Sequence, residues 1–426
     1  MIVHDVFTPD EYPEYTYVER DRGTHEENLQ FRLRGSPSII SLSGPSKSGK
    51  TMLLNNVVEK LDYRHVTIHG SNINSVEDIW NETLDQLNVP ESREVRESSQ
   101  EETVKEGNAG LDIPGVSAGA GGSKRDQEST EETFQHGRTG LKQIAELVNL
   151  DEFVIYIDDA HYIDENKYSS ISEGIKDAYE RGMSICVAFI PYRSDDLTRA
   201  NPDLSGRIES ISLDYWDDSD LEEIGKKGFD QLNRYPSNLV LKNLARESVG
   251  SPHLMQRLCL EMCNELNIIE SKSEMEPLDA EQEDLKNVLR KTANNFRSNY
   301  STIFELLGGG VSSNGNGRKK YKFELKGEGD IYDILLRAFA LNPPKLTLDR
   351  TDIINRVEKV CNDETPQSGN IVQTIQRIDG WISEKVPQSD YSFEWIDERK
   401  CVEVPDPYLI FCLRWSDITD YEPGLQ

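Results

Sequence analysis

Eight residues, Gly44-Pro45-Ser46-Lys47-Ser48-Gly49-Lys50-Thr51, constrain the fold of this chain more than any others. Before them runs Ser38-Ile39-Ile40-Ser41-Leu42-Ser43, which predicts a short buried strand; after them runs Met52-Leu53-Leu54-Asn55-Asn56-Val57-Val58, which predicts a helix with one apolar face. The spacing is G-x-x-x-x-G-K-T. A glycine turn between a strand and a helix lets backbone N–H groups close around an anion, and the helix start adds the positive end of its dipole. Gly44, Pro45, Ser46, Lys47, Ser48, Gly49, Lys50, Thr51 and Met52 are therefore the candidate phosphate loop. Lys50 is expected to reach the β- and γ-phosphates of a nucleotide, and the Thr51 hydroxyl to ligate Mg²⁺.

A second stretch supports the first. Phe153-Val154-Ile155-Tyr156-Ile157 is a continuous apolar run, as expected for a strand covered on both faces, and it ends in Asp158-Asp159-Ala160-His161. A carboxylate at the tip of such a strand suits Mg²⁺, so Asp158 is the candidate metal residue. Asp159 follows it directly. An Asp-Asp pair after a strand can also cap a helix or make a turn. The phosphate loop upstream favours the metal reading.

Further strands are expected at about 65–70, 184–190 and 208–213, with helices at about 50–61, 74–87, 133–149 and 166–181. This alternation implies a parallel sheet. The expected fold class is α/β: a P-loop parallel sheet with a helical lid, followed by an α+β winged-helix domain. The expected division is a strap at 1–35, a core at 36–215, a lid at 216–300, a linker or loop at 301–327 and the winged-helix domain at 328–420. Within the core, residues 90–130 are rich in Glu, Ser and Gly. They could be a disordered loop, a hairpin, or an oligomerisation or ligand element, and disorder is the expectation.

The C-terminal part predicts helices at 331–341, 350–361 and 370–385, a hairpin at 391–396 and 400–404, and a last helix at 408–415. Three helices plus a hairpin is a winged helix-turn-helix pattern. Its third helix carries Gln373, Gln376, Arg377, Asp379, Glu384 and Lys385, nearly charge-neutral, which favours packing or partner binding over DNA reading. Arg318-Lys319-Lys320-Tyr321-Lys322 is the basic cluster of note, and lysines protecting a strand edge are its favoured reading.

The net charge of −30 argues against a broad nucleic-acid footprint. It fits a high-salt cytoplasm or simple solubility. No apolar run approaches the roughly 20 residues that span a bilayer. Met1-Ile2-Val3-His4-Asp5 lacks the basic-then-apolar order of a secretory leader, so none is expected. Cys259 and Cys263 lie one helical turn apart with no Cys/His set beside them, which points to helix packing rather than zinc. Reduced thiols and a cytoplasmic location are expected. No Ser/His/Asp or Cys/His constellation is visible.

The ordered set of GPSKSGKT at 44–51, IDDAH at 157–161, Ile190-Pro191-Tyr192-Arg193-Ser194, Gly206-Arg207-Ile208 and GSPH at 250–253 resembles the AAA+ and STAND branch of P-loop ATPases over about residues 14–270. The resemblance implies ATP as the nucleotide, since no guanine-specific motif is evident. It implies that Arg193 or Ser194 contacts the γ-phosphate as a sensor. Arg207 is either an arginine finger reaching a neighbouring subunit or an ordinary surface arginine. The segment around Tyr17 either lies against the adenine or is a plain strap. Pro252 would contact the base or sugar, and His253 stands where a lid arginine is common, with Arg257 as its substitute. Asp159 stands where many such ATPases carry a glutamate, so the resemblance implies that it polarises the attacking water; an aspartate reaches less far than a glutamate, and slow hydrolysis is expected. The resemblance further implies a switch between ATP and ADP states, output through self-assembly or a protein effector, and service in prokaryotic antiviral defence or signalling. The rival expectations are a DNA-acting AAA+ ATPase of transposition or replication, with DNA the less favoured partner, and a non-hydrolysing nucleotide-bound scaffold.

Overall fold

In the computed structural model, which describes residues 1–35, 37–90, 92–96, 133–309, 318–325, 327–385, 393–416, 418, 424 and 425, five strands form the central layer. They are β1 (Ile39–Ser43), β2 (Arg64–His69), β3 (Phe153–Asp158), β4 (Ser184–Phe189) and β5 (Ile208–Ser212), in the order β2-β3-β4-β1-β5. All pairings are parallel. β1 and β4 are buried along their whole length, and β3 in all but Asp158, because helices cover both faces. On one side lie α1 (Thr24–Gly35) and α2 (Lys50–Leu61), whose Leu29, Leu54 and Val57 pack on Ile40, Leu42 and Tyr156. On the other lie α3 (Val76–Gln86) and α4 (Tyr168–Glu180), whose Ile79, Leu84 and Ile171 pack on Ile68 and Ile155. Since the strands run parallel, the ends of β1, β2, β3 and β4 that carry Ser43, His69, Asp158 and Phe189 open on one edge of the sheet.

One predicted helix is corrected. Within 133–149, Thr133–Gly137 is a strand paired antiparallel with Ser92–Arg96, and only Leu141–Leu147 is helical. Thr133 and Phe134 favour strands, and Gly137 and Gly140 interrupt a helix. Of the segment expected to be disordered, 90–130, residues 91 and 97–130 lie outside the described residues.

Beyond the sheet follow α5 (Asp218–Gln231), α6 (Asn238–Glu247), α7 (Pro252–Glu265) and α8 (Gln282–Arg297). Ser251 accepts from the Leu254 N–H and Pro252 occupies the first turn, which fixes the start of α7. Ser301–Gly309, within the 301–327 stretch expected to be a linker or loop, is a helix, because Ile303 and Phe304 join the core. The C-terminal elements are α9 (Ile331–Ala340), β6 (Thr347–Asp349), α10 (Arg350–Val360), α11 (Ser368–Lys385), β7 (Glu394–Ile396), β8 (Cys401–Glu403) and α12 (Pro407–Trp415). The strands form an antiparallel sheet in the order β6-β8-β7. β6 was not foreseen: at three residues it is too short to give a periodic signal. The basic cluster is ion-paired, Arg318 with Asp330 at 2.6 Å, Lys320 with Glu328 at 3.6 Å and Lys319 with Glu364, beside a short strand at Tyr321–Lys322. All six cysteines are free and buried, Cys259 and Cys263 within α7.

Lid and C-terminal region share one core. Leu254 and Leu258 of α7, Leu285 and Leu289 of α8, Phe339 of α9 and Leu409 and Leu413 of α12 belong to a single buried cluster. Every residue of α12 is buried. Inside this core Arg414 forms a two-pronged pair with Glu247 of α6, at 2.9 and 2.8 Å, and the Trp415 indole donates to the same carboxylate at 2.7 Å. Both charged residues are 1% exposed, so each depends on the other. Glu247→Ala is expected to destabilise the fold by about 3–5 kcal/mol, because it leaves the Arg414 charge buried and unpaired. The double variant Glu247→Leu with Arg414→Met should recover most of that loss. Urea unfolding of the two variants checks this, and equal losses would contradict it.

Candidate nucleotide site

The loop from Gly44 to Gly49 turns back over the end of β1. Gly49 takes a φ of +95°, open to glycine at little cost, and lets Lys50 begin α2. Lys47 also lies in the left-handed region, at φ 57°. Lys50 is 6% exposed, and its Nζ donates to the carbonyls of Gly44 at 3.0 Å and Pro45 at 2.8 Å. Ser48 is buried, and its Oγ has no hydrogen-bond partner in the protein. A buried hydroxyl without a partner costs about 1–3 kcal/mol, so the loop as it stands lacks a polar group that a phosphate oxygen supplies. The residues present thus fit a phosphate.

Asp158, at the tip of β3, lies across from the start of α2. Its Oδ2 accepts from the Thr51 hydroxyl at 2.7 Å; its Oδ1 accepts from the Tyr156 hydroxyl at 3.0 Å and from the Asp159 N–H at 2.9 Å. A hydroxyl and a carboxylate side by side are the hard oxygen donors that suit Mg²⁺. Tyr156 is wholly buried; burial, then the Asp158 charge, pushes its hydroxyl well above the usual tyrosine range, so it stays a donor that holds Asp158 in place.

Asp159 turns out of the strand at φ 48°, and its carboxylate meets His69 Nε2 at 3.3 Å. The Ser71 N–H donates to His69 Nδ1, so the neutral ring carries its proton on Nε2, toward Asp159. The close approach needs Gly70: a Cβ there would lie 2.3 Å from the Asp159 carbonyl oxygen. The sequence places His69 and Gly70 in a strand at 65–70 and gives neither a role in the site. The parallel register of the folded sheet, which sets His69 beside Asp158, is what brings them to the site.

These groups open on a cavity of 370 Å³, the size of a small-ligand pocket. Ser46 to Met52, Asp158, Asp159, Tyr17, Pro252 and His253 all line it, so sequence and structure bring those candidates together. Gly44 and Pro45 act beneath it through the carbonyls that hold Lys50. Trp216, unforeseen, also lines the cavity; its indole donates to the Ser48 carbonyl at 2.8 Å, and Arg20 stacks on it at 4.8 Å. Tyr17 is held by its hydroxyl on Glu26 at 2.7 Å.

Three arginines lie outside the cavity. Arg193 stands past the end of β4 but is engaged by Asp196 at 2.5 Å, by the His161 carbonyl at 3.1 Å and by Glu165 at 3.4 Å, and it does not line the cavity. Its neighbour Ser194 donates to the Pro191 carbonyl. Arg207 precedes β5, at the end of the sheet opposite the loop, and pairs with Glu180 at 2.8 Å. Arg257 pairs with Asp10 at 2.6 Å, outside the cavity. Local carboxylates claim all three. His253 bonds the Tyr408 hydroxyl at 2.7 Å and Asp10 at 3.2 Å. Burial, then the charge of Lys47, lowers its pKa to about 4, so it brings no charge to the site at neutral pH.

The loop also meets the C-terminal region. Lys47 Nζ lies 3.8 Å from Asp406 Oδ1 and 4.2 Å from the centre of the Tyr408 ring. Asp406 is 1% exposed, caps α12 through the Tyr408 N–H at 3.0 Å and accepts from the Tyr300 hydroxyl at 2.6 Å.

Residues 33–190 match the AAA domain family. No curated protein matches the chain. Among solved structures it is similar to a Walker-type ATPase of Pyrococcus abyssi, at 12% identity over 96% of this chain and 97% of that one, with a TM-score of 0.49. It is similar to Cdc6p from Pyrobaculum aerophilum at 13% identity, over 97% of each chain, with a TM-score of 0.43. It is also similar to the RuvB Holliday junction branch migration motor of Thermotoga maritima at 14% identity, over 70% of this chain and 81% of that one, with a TM-score of 0.39. The match over residues 33–190 and the five-stranded parallel sheet agree on a P-loop NTPase fold, which implies nucleotide binding. No described helix is long and apolar enough to cross a membrane. Lys50→Ala should weaken ATP and ADP binding roughly 10- to 150-fold, the worth of a hydrogen bond to a charged group. Calorimetric titration checks it, and retained affinity would remove the loop from the site.

Proposed function

We propose that this protein is an ATP-binding, slowly ATP-hydrolysing molecular switch of the STAND/AAA+ type, in which the nucleotide sets how the lid and C-terminal region sit on the sheet. The observation that carries the reading is the contact of Lys47 with Asp406 and Tyr408, which joins the phosphate loop to α12. A nucleotide's phosphates and the Asp406 carboxylate would compete for one lysine. A third phosphate adds negative charge facing Asp406, so ATP loosens this contact more than ADP does.

In this reading Lys50 and the loop from Gly44 to Met52 hold the phosphates, and Tyr17 and Pro252 hold the nucleoside. Thr51 and Asp158 hold Mg²⁺, which when bound draws charge from the phosphate oxygens. Asp159, oriented by His69, positions the attacking water and takes its proton. Arg193 would have to leave Asp196 and Glu165 to act as a sensor; Arg207 would act only on a neighbouring copy. The residues at 328–420 serve as a winged-helix module that meets protein. A place in prokaryotic defence or signalling rests on the sequence resemblance alone. DNA remains the rival partner, and assembly only in the presence of duplex DNA would favour it.

Asp159→Asn should bind ATP as the unaltered protein does but hydrolyse it at least about a hundredfold more slowly; unchanged turnover would dismiss Asp159 as the base. Asp406→Asn should raise affinity for ATP relative to ADP by about fivefold, on the order of 1 kcal/mol of relieved repulsion. An unchanged ATP-to-ADP ratio in competitive titrations would sink the proposed competition for Lys47.

A further inference from the structure

The nucleoside side of the cavity holds two buried acceptors that nothing in the protein satisfies. Gln256 of α7 is 5% exposed; its Nε2 donates to Thr16 Oγ1, and its Oε1 has no partner. Glu26 of α1 is 5% exposed; its Oε1 accepts from the Tyr17 hydroxyl at 2.7 Å, and its Oε2 has no partner. Both residues line the cavity that also holds Lys50 and Thr51. Their anchors, Thr16 and Tyr17, are consecutive, so one segment of the strap places both. Neither free oxygen is open to water, so solvent does not relieve them. Each such group costs about 1–3 kcal/mol, and two in one cavity mark where a ligand's donors belong.

The geometry points to Gln256 and Glu26 as the residues that select the base, by accepting from the exocyclic amine of a 6-aminopurine. The inference rests on the phosphate-loop reading and deepens it. An amine carries two N–H groups and can meet two acceptors, each side chain turning its free oxygen toward the cavity as the ligand enters. A 6-oxopurine sets a carbonyl oxygen in the same place, where two acceptors repel it and stay unsatisfied. A site built this way discriminates strongly, because the wrong ligand leaves the protein's own polar groups unpaired.

The test is calorimetric titration of the full chain with Mg²⁺ and either ATP or ITP, which differ at that one substituent and its ring tautomer. The unaltered protein should prefer ATP by about tenfold or more. Gln256→Leu and Glu26→Gln should each shrink the preference severalfold, chiefly by weakening ATP, while their melting temperatures confirm that they fold. Equal affinity for ATP and ITP in the unaltered protein would overturn the assignment without variants. An unchanged ratio in both folded variants would overturn it for these residues. Binding of neither nucleotide would overturn this inference and the phosphate-loop reading together, whereas equal binding would leave the loop in place.

Discussion

Lys47 and Asp406 impose the constraint on which the rest of the arrangement depends. A lysine in the phosphate loop is presented by a left-handed backbone turn, and a buried carboxylate at the head of α12 stands against it. Asp406 cannot withdraw locally, because it also caps its helix and receives the Tyr300 hydroxyl. Any ligand that engages the loop must therefore coexist with this carboxylate or displace the body that carries it.

That body is larger than the C-terminal region. The lid helices and α12 share one core, and the Glu247–Arg414 pair fastens α6 to α12 inside it. Separating lid from C-terminal region would strip each of two buried charges of its oppositely charged partner. On the sheet side the Trp216 indole meets the Ser48 carbonyl of the phosphate loop, and the strap bridges both parts, with Arg20 on the Asp214 carbonyl and the Tyr17 carbonyl receiving Lys227 of α5. Motion in the proposed switch thus belongs between the sheet and the joined lid and C-terminal body.

The sheet and the phosphate loop were legible in the sequence because their signals are local. Continuous apolar runs such as Phe153–Ile157 and Ser184–Phe189 leave little choice but a buried strand, and the glycine and lysine spacing dictates the turn that follows. What was hidden depends on distant partners. Nothing near Arg257 in sequence announces that Asp10 claims it, whereas Asp196, three residues after Arg193, was a local signal for that pair. Gly70 is legible only once the Asp159 carbonyl is placed above it. The 133–149 segment misled because its later half is helical in pattern, while Gly137 and Gly140 break it. The contact of Lys47 with Asp406 spans most of the chain, and no local pattern announces it.

The central claim is that nucleotide state moves the lid and C-terminal body as one piece against the sheet. Pairs of spin labels at exposed positions test it most directly: Glu173 on α4 with Glu358 on α10, and Glu283 on α8 with Glu358, each changed to cysteine and labelled, the native cysteines being buried. Distances measured with Mg²⁺-ADP and with a non-hydrolysable ATP analogue should differ for the first pair and stay constant for the second. A first pair that does not move, or a second that moves as much as the first, would contradict the account.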